Sequence, residues 1–273
     1  YDYWQDTLKP SILVDSGADW LCYGMGERTM IEFTRAIESG RNVNEIRKIP
    51  QLGFYMDGRC RTKDAVILNS YERCCKDKVA FAENFHVIET YANMMTPPVL
   101  VEPVGNGYVQ INPTWPPATE QEMDSFWDLP FTKSPHPRYK GKHIPAFEMI
   151  KVSVNTHRGC FGGCAFCTIS AHQGKFIVNR SEKSILNEVK EIAKLPDFKG
   201  YLSDLGGPSA NMYMMRGRNS AACAKCSRPS CIQPKICPNL NIDHTPLLEL
   251  YRKVDALPQI KKSFIGSGVR YDM

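Results

Sequence analysis

Cys160, Cys164 and Cys167 stand within the run Arg158-Gly-Cys-Phe-Gly-Gly-Cys-Ala-Phe-Cys167, a C-x3-C-x2-C spacing. Thiolates are soft ligands for iron and zinc, and a cubane iron–sulfur cluster usually takes four of them. Three thiolates on one short loop would hold three irons and leave the fourth corner for a ligand from outside the chain. Gly159, Gly162 and Gly163 suit such a loop, because backbone without Cβ can fold close to a cluster and bring amide N–H groups to its sulfurs. Two other readings of these residues stay open: a zinc loop completed by a distant fourth ligand, or three structural cysteines. Zinc sites are more often built from paired C-x2-C knuckles.

A second group, Cys223, Cys226, Cys231 and Cys237, is spaced C-x2-C-x4-C-x5-C. Four thiols so close in a reducing compartment suggest a metal. Zinc would make a redox-silent knuckle and a second cubane would make an electron relay or substrate anchor, against unmetallated thiols packed in a loop. Arg216, Arg218, Lys225, Arg228 and Lys235 make this stretch basic, which reads as a solvated surface before a nucleic-acid contact. The remaining Cys22, Cys60, Cys74 and Cys75 fit no ligand spacing and read as buried structural thiols. His157 and His172 are acid–base candidates by proximity alone, and His143 sits in a basic turn.

The chain has 273 residues with 42% hydrophobic and 23% charged content, ordinary values for a globular protein with a sizeable core. Net charge of +5 is too small to argue for a nucleic-acid partner. No signal peptide or long apolar run is visible, and eleven cysteines without a secretory context fit a cytoplasmic protein better than a disulfide framework. A start at Tyr1 and a stop at Met273 read as a piece cut from something longer.

The elements that must position the cysteines follow an α/β pattern. Ile150-Lys-Val-Ser-Val154 alternates as a strand and runs straight into the loop. Ser181 caps a helix whose inner face is Ile185, Leu186, Val189, Ile192 and Ala193. Residues 200–205 form a second strand ending at Gly206-Gly207-Pro208. Thr245 and Pro246 open a further helix with Leu247, Leu248, Tyr251 and Val254 inward, and residues 262–269 form a third strand. Strand–helix repeats imply parallel strands, and a β/α barrel places reactive groups at their carboxyl ends. Upstream, residues 18–23 read as a strand, Gly24-Met-Gly26-Glu27 as a turn, and 28–39 as a helix burying Met30, Ile31, Phe33, Thr34 and Ile37. The Gly-x-Gly-Glu turn could receive a phosphate, although a tight turn is the simpler reading. Residues 41–145 look like an irregular connector with a hairpin near Val104-Gly-Asn-Gly and a short helix at Glu120 to Trp127.

The triplet resembles the signature of the radical S-adenosylmethionine (SAM) superfamily. The longer series resembles YgiQ-type radical SAM proteins: Tyr23-Gly-Met-Gly-Glu27, Ile144-Pro-Ala-Phe, Arg158 to Thr168, His172-Gln-Gly-Lys175, Asp204-Leu-Gly-Gly-Pro-Ser-Ala-Asn-Met-Tyr213, Cys231 to Cys237, and Ser267-Gly-Val-Arg-Tyr-Asp272. The resemblance implies residues 1–40 as the end of a cobalamin-binding-like α/β unit, without the Asp-x-His-x-x-Gly cobalamin loop. It also implies 146–273 as the first three strands of a β/α (TIM-like) barrel with a cysteine-rich insertion at 214–241. It implies a [4Fe–4S] cluster on Cys160, Cys164 and Cys167 that cleaves SAM reductively to a 5′-deoxyadenosyl radical acting on an unknown substrate. Phe166 would flank the adenine, Gly206 and Gly207 would hold the methionyl amine, and Ser267 and Arg270 would reach SAM's carboxylate or ribose. Pro208 stands where the superfamily has an acidic residue, so a backbone carbonyl would serve and a carboxylate would not. The implied partner is a reductant such as flavodoxin or ferredoxin. The alternatives are a non-catalytic electron-transfer or metal-binding protein, and an RNA-binding or RNA-modifying one.

Overall fold

Short polar signals set many of the element boundaries. Asn42 and Thr119 open their helices with capping boxes, each side chain accepting from the amide of a glutamate three residues on and each backbone N–H donating to that glutamate's carboxylate. Ser181 accepts from the Ser184 amide at 3.1 Å, the cap expected from the sequence. The helix expected from Thr245 begins one residue earlier than a Thr245 cap allows. His244 is the N-cap, Thr245 is the first helical residue, and Asp243 Oδ1 accepts from the Thr245 amide at 2.9 Å.

The computed structural model describes residues 1–273, which divide into two compact units. The first comprises Tyr1–Pro116, Ala171–Gly174 and Ser220–Pro229, and the second comprises Pro117–Ser170, Lys175–Asn219 and Ser230–Met273.

The first unit contains α1 (Ile12–Ser16), β1 (Leu21–Cys22), α2 (Glu27–Glu38), α3 (Val43–Ile46), β2 (Leu52–Asp57), β3 (Val66–Ile67), α4 (Tyr71–Lys76), α5 (Lys78–Ala92), β4 (Leu100–Val104) and β5 (Gly107–Ile111). Its strands make one sheet in the order β1-β2-β5-β4-β3, antiparallel except for the β3–β4 pair. Residues 1–40, expected as the end of an α/β unit, share this sheet with residues 41–111. Strand β1 is two residues long and pairs antiparallel with β2, so both belong to the sheet that fills the supposed connector.

The inner face of α2 also differs from expectation. Thr29 and Ala36 are buried, with Phe33 beside them against Ile46, Ile49 and Leu52, while Met30, Ile31 and Ile37 are exposed. Thr29 belongs inside because it is satisfied there: its hydroxyl donates to the Pro50 carbonyl at 3.1 Å and accepts from Trp115 Nε1 at 3.1 Å. The glycine turn before α2 is closed from within, since Gln51 Nε2 donates to the carbonyls of Tyr23 and Met25 at 2.8 and 3.2 Å.

The chain continues with α6 (Glu120–Trp127), α7 (Pro145–Ile150), β6 (Ser153–Asn155), β7 (His157–Arg158), α8 (Ile169–Gln173), β8 (Val178–Asn179), α9 (Glu182–Ile192), β9 (Tyr201–Leu202), β10 (Asp204–Gly206), α10 (Ser220–Ala224), α11 (Thr245–Asp255) and β11 (Lys262–Ser263). In the second unit β10 runs parallel to β6 with α9 between them in the chain, β11 runs parallel to β9 with α11 between them, and β7 pairs antiparallel with β8. Helices α9 and α11 cover the strands with Ile185, Val189, Ile192, Leu247, Leu250 and Val254, packed on Val154, Leu202 and Leu205. Each such side chain contributes roughly 1.5–3 kcal/mol of transfer free energy. On α11 the inner position is Leu250, and Leu248 faces out at 53% exposure.

Candidate functional site

Parallel pairing sends the carboxyl ends of the strands to one edge of the second unit. Asn155, the last residue of β6, is in register with Gly206, the last of β10, and the Thr156 amide donates to the Gly206 carbonyl at 2.7 Å. The cysteine loop leaves from the first strand end, Gly207 from the second, and Ser267 and Arg270 follow the third.

The loop is anchored from below. Phe161 is buried with Met212, Met215, Ile232 and Leu240. The Phe161 carbonyl accepts from the Cys231 amide at 3.0 Å, and Ser230 Oγ donates to the Gly162 carbonyl at 2.8 Å. Above this floor the Gly162 amide donates to Cys160 Sγ at 3.4 Å, and Arg270 Nη1 donates to Cys164 Sγ at 3.3 Å. The Cys167 amide closes the loop onto the Cys164 carbonyl at 3.0 Å. A Cβ on residue 162 would lie 2.7 Å from Arg270 Nη1, so the guanidinium's approach requires glycine there. Phe166 projects from the loop with 90% of its surface exposed.

Burial raises the Cys160 thiol pKa; the Gly162 amide and Arg270 pull it down, and the neighbouring Cys164 and Cys167 push it up again. Three neighbouring thiolates would repel one another, so this is a donor set whose charged form a bound cation stabilises. No three His, Cys, Asp or Glu side chains converge on a single point, as a mononuclear metal site requires. A cubane asks for less convergence, because each thiolate binds a different iron. The donor chemistry, the loop glycines and the sulfur-directed N–H groups therefore fit an iron–sulfur cluster.

At the second strand end the two glycines are needed for close approach. A Cβ at Gly207 would lie 2.5–2.8 Å from three atoms of the His157 ring, and one at Gly206 would lie 2.5 Å from Ser267 Oγ. Ser267 is itself held to the strand, its amide and hydroxyl both donating to Asp204 Oδ1 at 3.1 Å. His157 is buried and shares a 2.8 Å hydrogen bond with Thr156 Oγ1 through Nδ1. Burial brings its pKa down to about 4, with the Ser209 backbone acting in the opposite direction. Burial thus favours the neutral ring at pH 7, and the ring packs directly against Gly207. His172 and His143 are exposed.

No three of Cys223, Cys226, Cys231 and Cys237 converge on a point that would hold a single metal ion. Cys231 and Cys237 pack beside Phe161, Met212 and Ile232. Among the unassigned thiols Cys74 is buried as expected, whereas Cys75 is exposed.

Three residues support these groups without a role read from the sequence. Asp272 binds Arg270, Asp204 binds Ser267, and the fully buried Arg180 ties the end of β6 to α9. For the two aspartates a signal was available, since each lies two residues from a residue already singled out; for Arg180 there was none.

A family profile described as Radical SAM N-terminal matches residues 1–153. The chain belongs to that family. It is 57% identical, along its whole length, to a UPF0313 protein of Bacteroides thetaiotaomicron, and 53% identical to one of Porphyromonas gingivalis. It is 37% identical to the UPF0313 protein YgiQ of Escherichia coli. The YgiQ-type kinship read from the motifs is borne out. The chain spans 44–46% of the length of these relatives. The profile match stops before the cysteine loop, whereas the relatives align across it. No helix is long and apolar enough to cross a membrane.

Proposed function

We propose that this chain carries the cluster-binding part of a radical SAM enzyme, with Cys160, Cys164 and Cys167 as the ligands of a [4Fe–4S] cluster. When bound, the cluster and SAM together supply a one-electron cleavage to methionine and a 5′-deoxyadenosyl radical. The observation that carries this reading is the meeting, at one strand edge, of the three-cysteine loop, the Gly206–Gly207 turn and the Ser267–Arg270 segment.

In this reading the strands of the second unit are the opening of a β/α barrel, supported by their parallel order and by the two helices laid over them. Exposed Phe166 offers a flat apolar face for the adenine ring. The turn at Gly206-Gly207-Pro208 offers backbone carbonyls to the methionyl ammonium, held open by the buried His157 ring beneath Gly207. Phe161, Met212 and Met215 keep water from the inner side of the loop. A soluble electron donor such as flavodoxin or ferredoxin is the fitting partner.

The test is anaerobic reconstitution of the full-length protein with iron and sulfide, then reduction in the presence of SAM. About four irons per chain and the appearance of 5′-deoxyadenosine are expected. Cys160→Ser, Cys164→Ser and Cys167→Ser should each lose iron, while Cys231→Ser keeps it. A cluster that forms normally but yields no deoxyadenosine would point to electron transfer instead.

A further inference from the structure

We infer that Arg270 sets the reduction potential of the cluster, by donating a charge-assisted hydrogen bond to the Cys164 sulfur, with Asp272 fixing both its aim and its effective charge. This rests on the cluster reading above. The guanidinium is committed on all sides. Nε and Nη2 donate to Asp272 Oδ1 and Oδ2 at 3.0 and 2.6 Å, and Nη1 is left to donate to Cys164 Sγ at 3.3 Å. Its backbone is equally fixed: the Arg270 amide donates to Asn211 Oδ1 at 2.9 Å, and Asn211 Nδ2 donates to the Arg270 carbonyl at 2.8 Å. Asn211 is buried, and the Ala210 amide also donates to the Gly268 carbonyl at 3.0 Å. A long side chain pinned at both ends, facing a glycine that leaves it room, is placed for one contact. Engagement with Asp272 and with the sulfur gives Arg270 a nearer task than SAM's carboxylate.

Reduction adds one negative charge to a cluster and its thiolates. A cation and an N–H donor at the sulfur stabilise the reduced form more than the oxidised form and so raise the potential. Arginine is suited to this, since it stays charged at every working pH and its planar fork can hold a carboxylate on one side while donating from the other. Asp272 opposes the effect by placing a negative charge behind the guanidinium.

The two residues therefore predict shifts of opposite sign. In a dye-mediated, dithionite-poised titration of the reconstituted full-length protein, read by electron paramagnetic resonance, Arg270→Gln should make the reduction equilibrium about tenfold less favourable. For a one-electron couple that is ~59 mV more negative. Asp272→Asn should move the midpoint upward, and Arg270→Lys should restore part of what Arg270→Gln loses. An unchanged midpoint in an iron-replete Arg270→Gln protein overturns the inference, as does a downward shift in both variants, which would mark a merely structural pair. Should Arg270→Gln take up no iron, the sign of the Asp272→Asn shift still decides, because the guanidinium remains in place there. Wild-type protein that takes up no iron would instead remove the cluster reading itself.

Discussion

Replacing Glu188 with Gln tests the charge network that supports the strand feeding the cysteine loop. The Arg180 side chain is 0% exposed and the Glu188 side chain 14%, with Arg180 Nη1 2.5 Å from Glu188 Oε2. The same Nη1 donates to the Asn155 carbonyl at 2.8 Å, at the end of β6, and Nη2 donates to Ser184 Oγ at 2.9 Å. The guanidinium also lies 5.4 Å from the centre of the Trp127 ring, and Lys133 Nζ is 2.5 Å from Glu188 Oε1. Gln preserves shape and some hydrogen bonding but leaves a buried cation without its countercharge. Breaking a buried pair from one side costs about 3–5 kcal/mol, against about 0–1 kcal/mol for an exposed pair. Because the amide can still accept from Arg180, the lower figure of about 3 kcal/mol is expected. The assay is urea unfolding followed by Trp127 fluorescence, with Trp4, Trp20 and Trp115 of the first unit changed to Phe so that only the second unit reports. A loss below about 1 kcal/mol would refute the reasoning, because it would place the pair among surface contacts. The double change Arg180→Met/Glu188→Leu should recover most of the loss, since it removes both charges together.

Three further outcomes are expected. Gly207→Ala should cost about 1–3 kcal/mol, because its Cβ meets the His157 ring and that ring is pinned by Thr156; the same urea assay checks it. Stability should fall as pH drops from about 6.5 toward 4. The folded His157 pKa lies near 4, below the unfolded value of about 6.5, so the unfolded chain binds the extra proton across that window. The contribution is complete above pH 6.5 and amounts to about 3 kcal/mol, and a His157→Phe protein should lose this slope. Leu250→Ala should destabilise by about 2–5 kcal/mol, while Leu248→Ala, at an exposed position of the same helix, should stay within about 0.5 kcal/mol.

In the second unit the helices were legible and the strand extents were not: residues 262–269, expected as one strand, hold only β11 at Lys262–Ser263, and Ile150 ends a helix where a strand was expected to begin. Helix α9 shows the expected inner residues Ile185, Val189 and Ile192, because an amphipathic stripe of large aliphatic residues has only one comfortable face. Helix α2 was misjudged for the opposite reason. Its most apolar residues, Met30, Ile31 and Ile37, lie outside, and a threonine with two hydrogen-bond partners lies inside. Periodicity ranks faces by hydropathy alone and cannot see that a polar residue will be satisfied by distant Pro50 and Trp115. Spacing along the chain likewise carries no information on which of Cys223, Cys226, Cys231 and Cys237 meet in space, and no three of them converge on one point.

By itself the sequence determined the spacing of Cys160, Cys164 and Cys167, the glycines between them and the strand–helix rhythm around them, all of which are short-range properties of the chain. Tertiary structure alone decided that β1 pairs antiparallel with β2, that His157 lies beneath Gly207, and that Arg270 reaches Cys164 across 106 residues. These are pairings between distant segments, chosen by burial, registry and the satisfaction of polar groups in three dimensions.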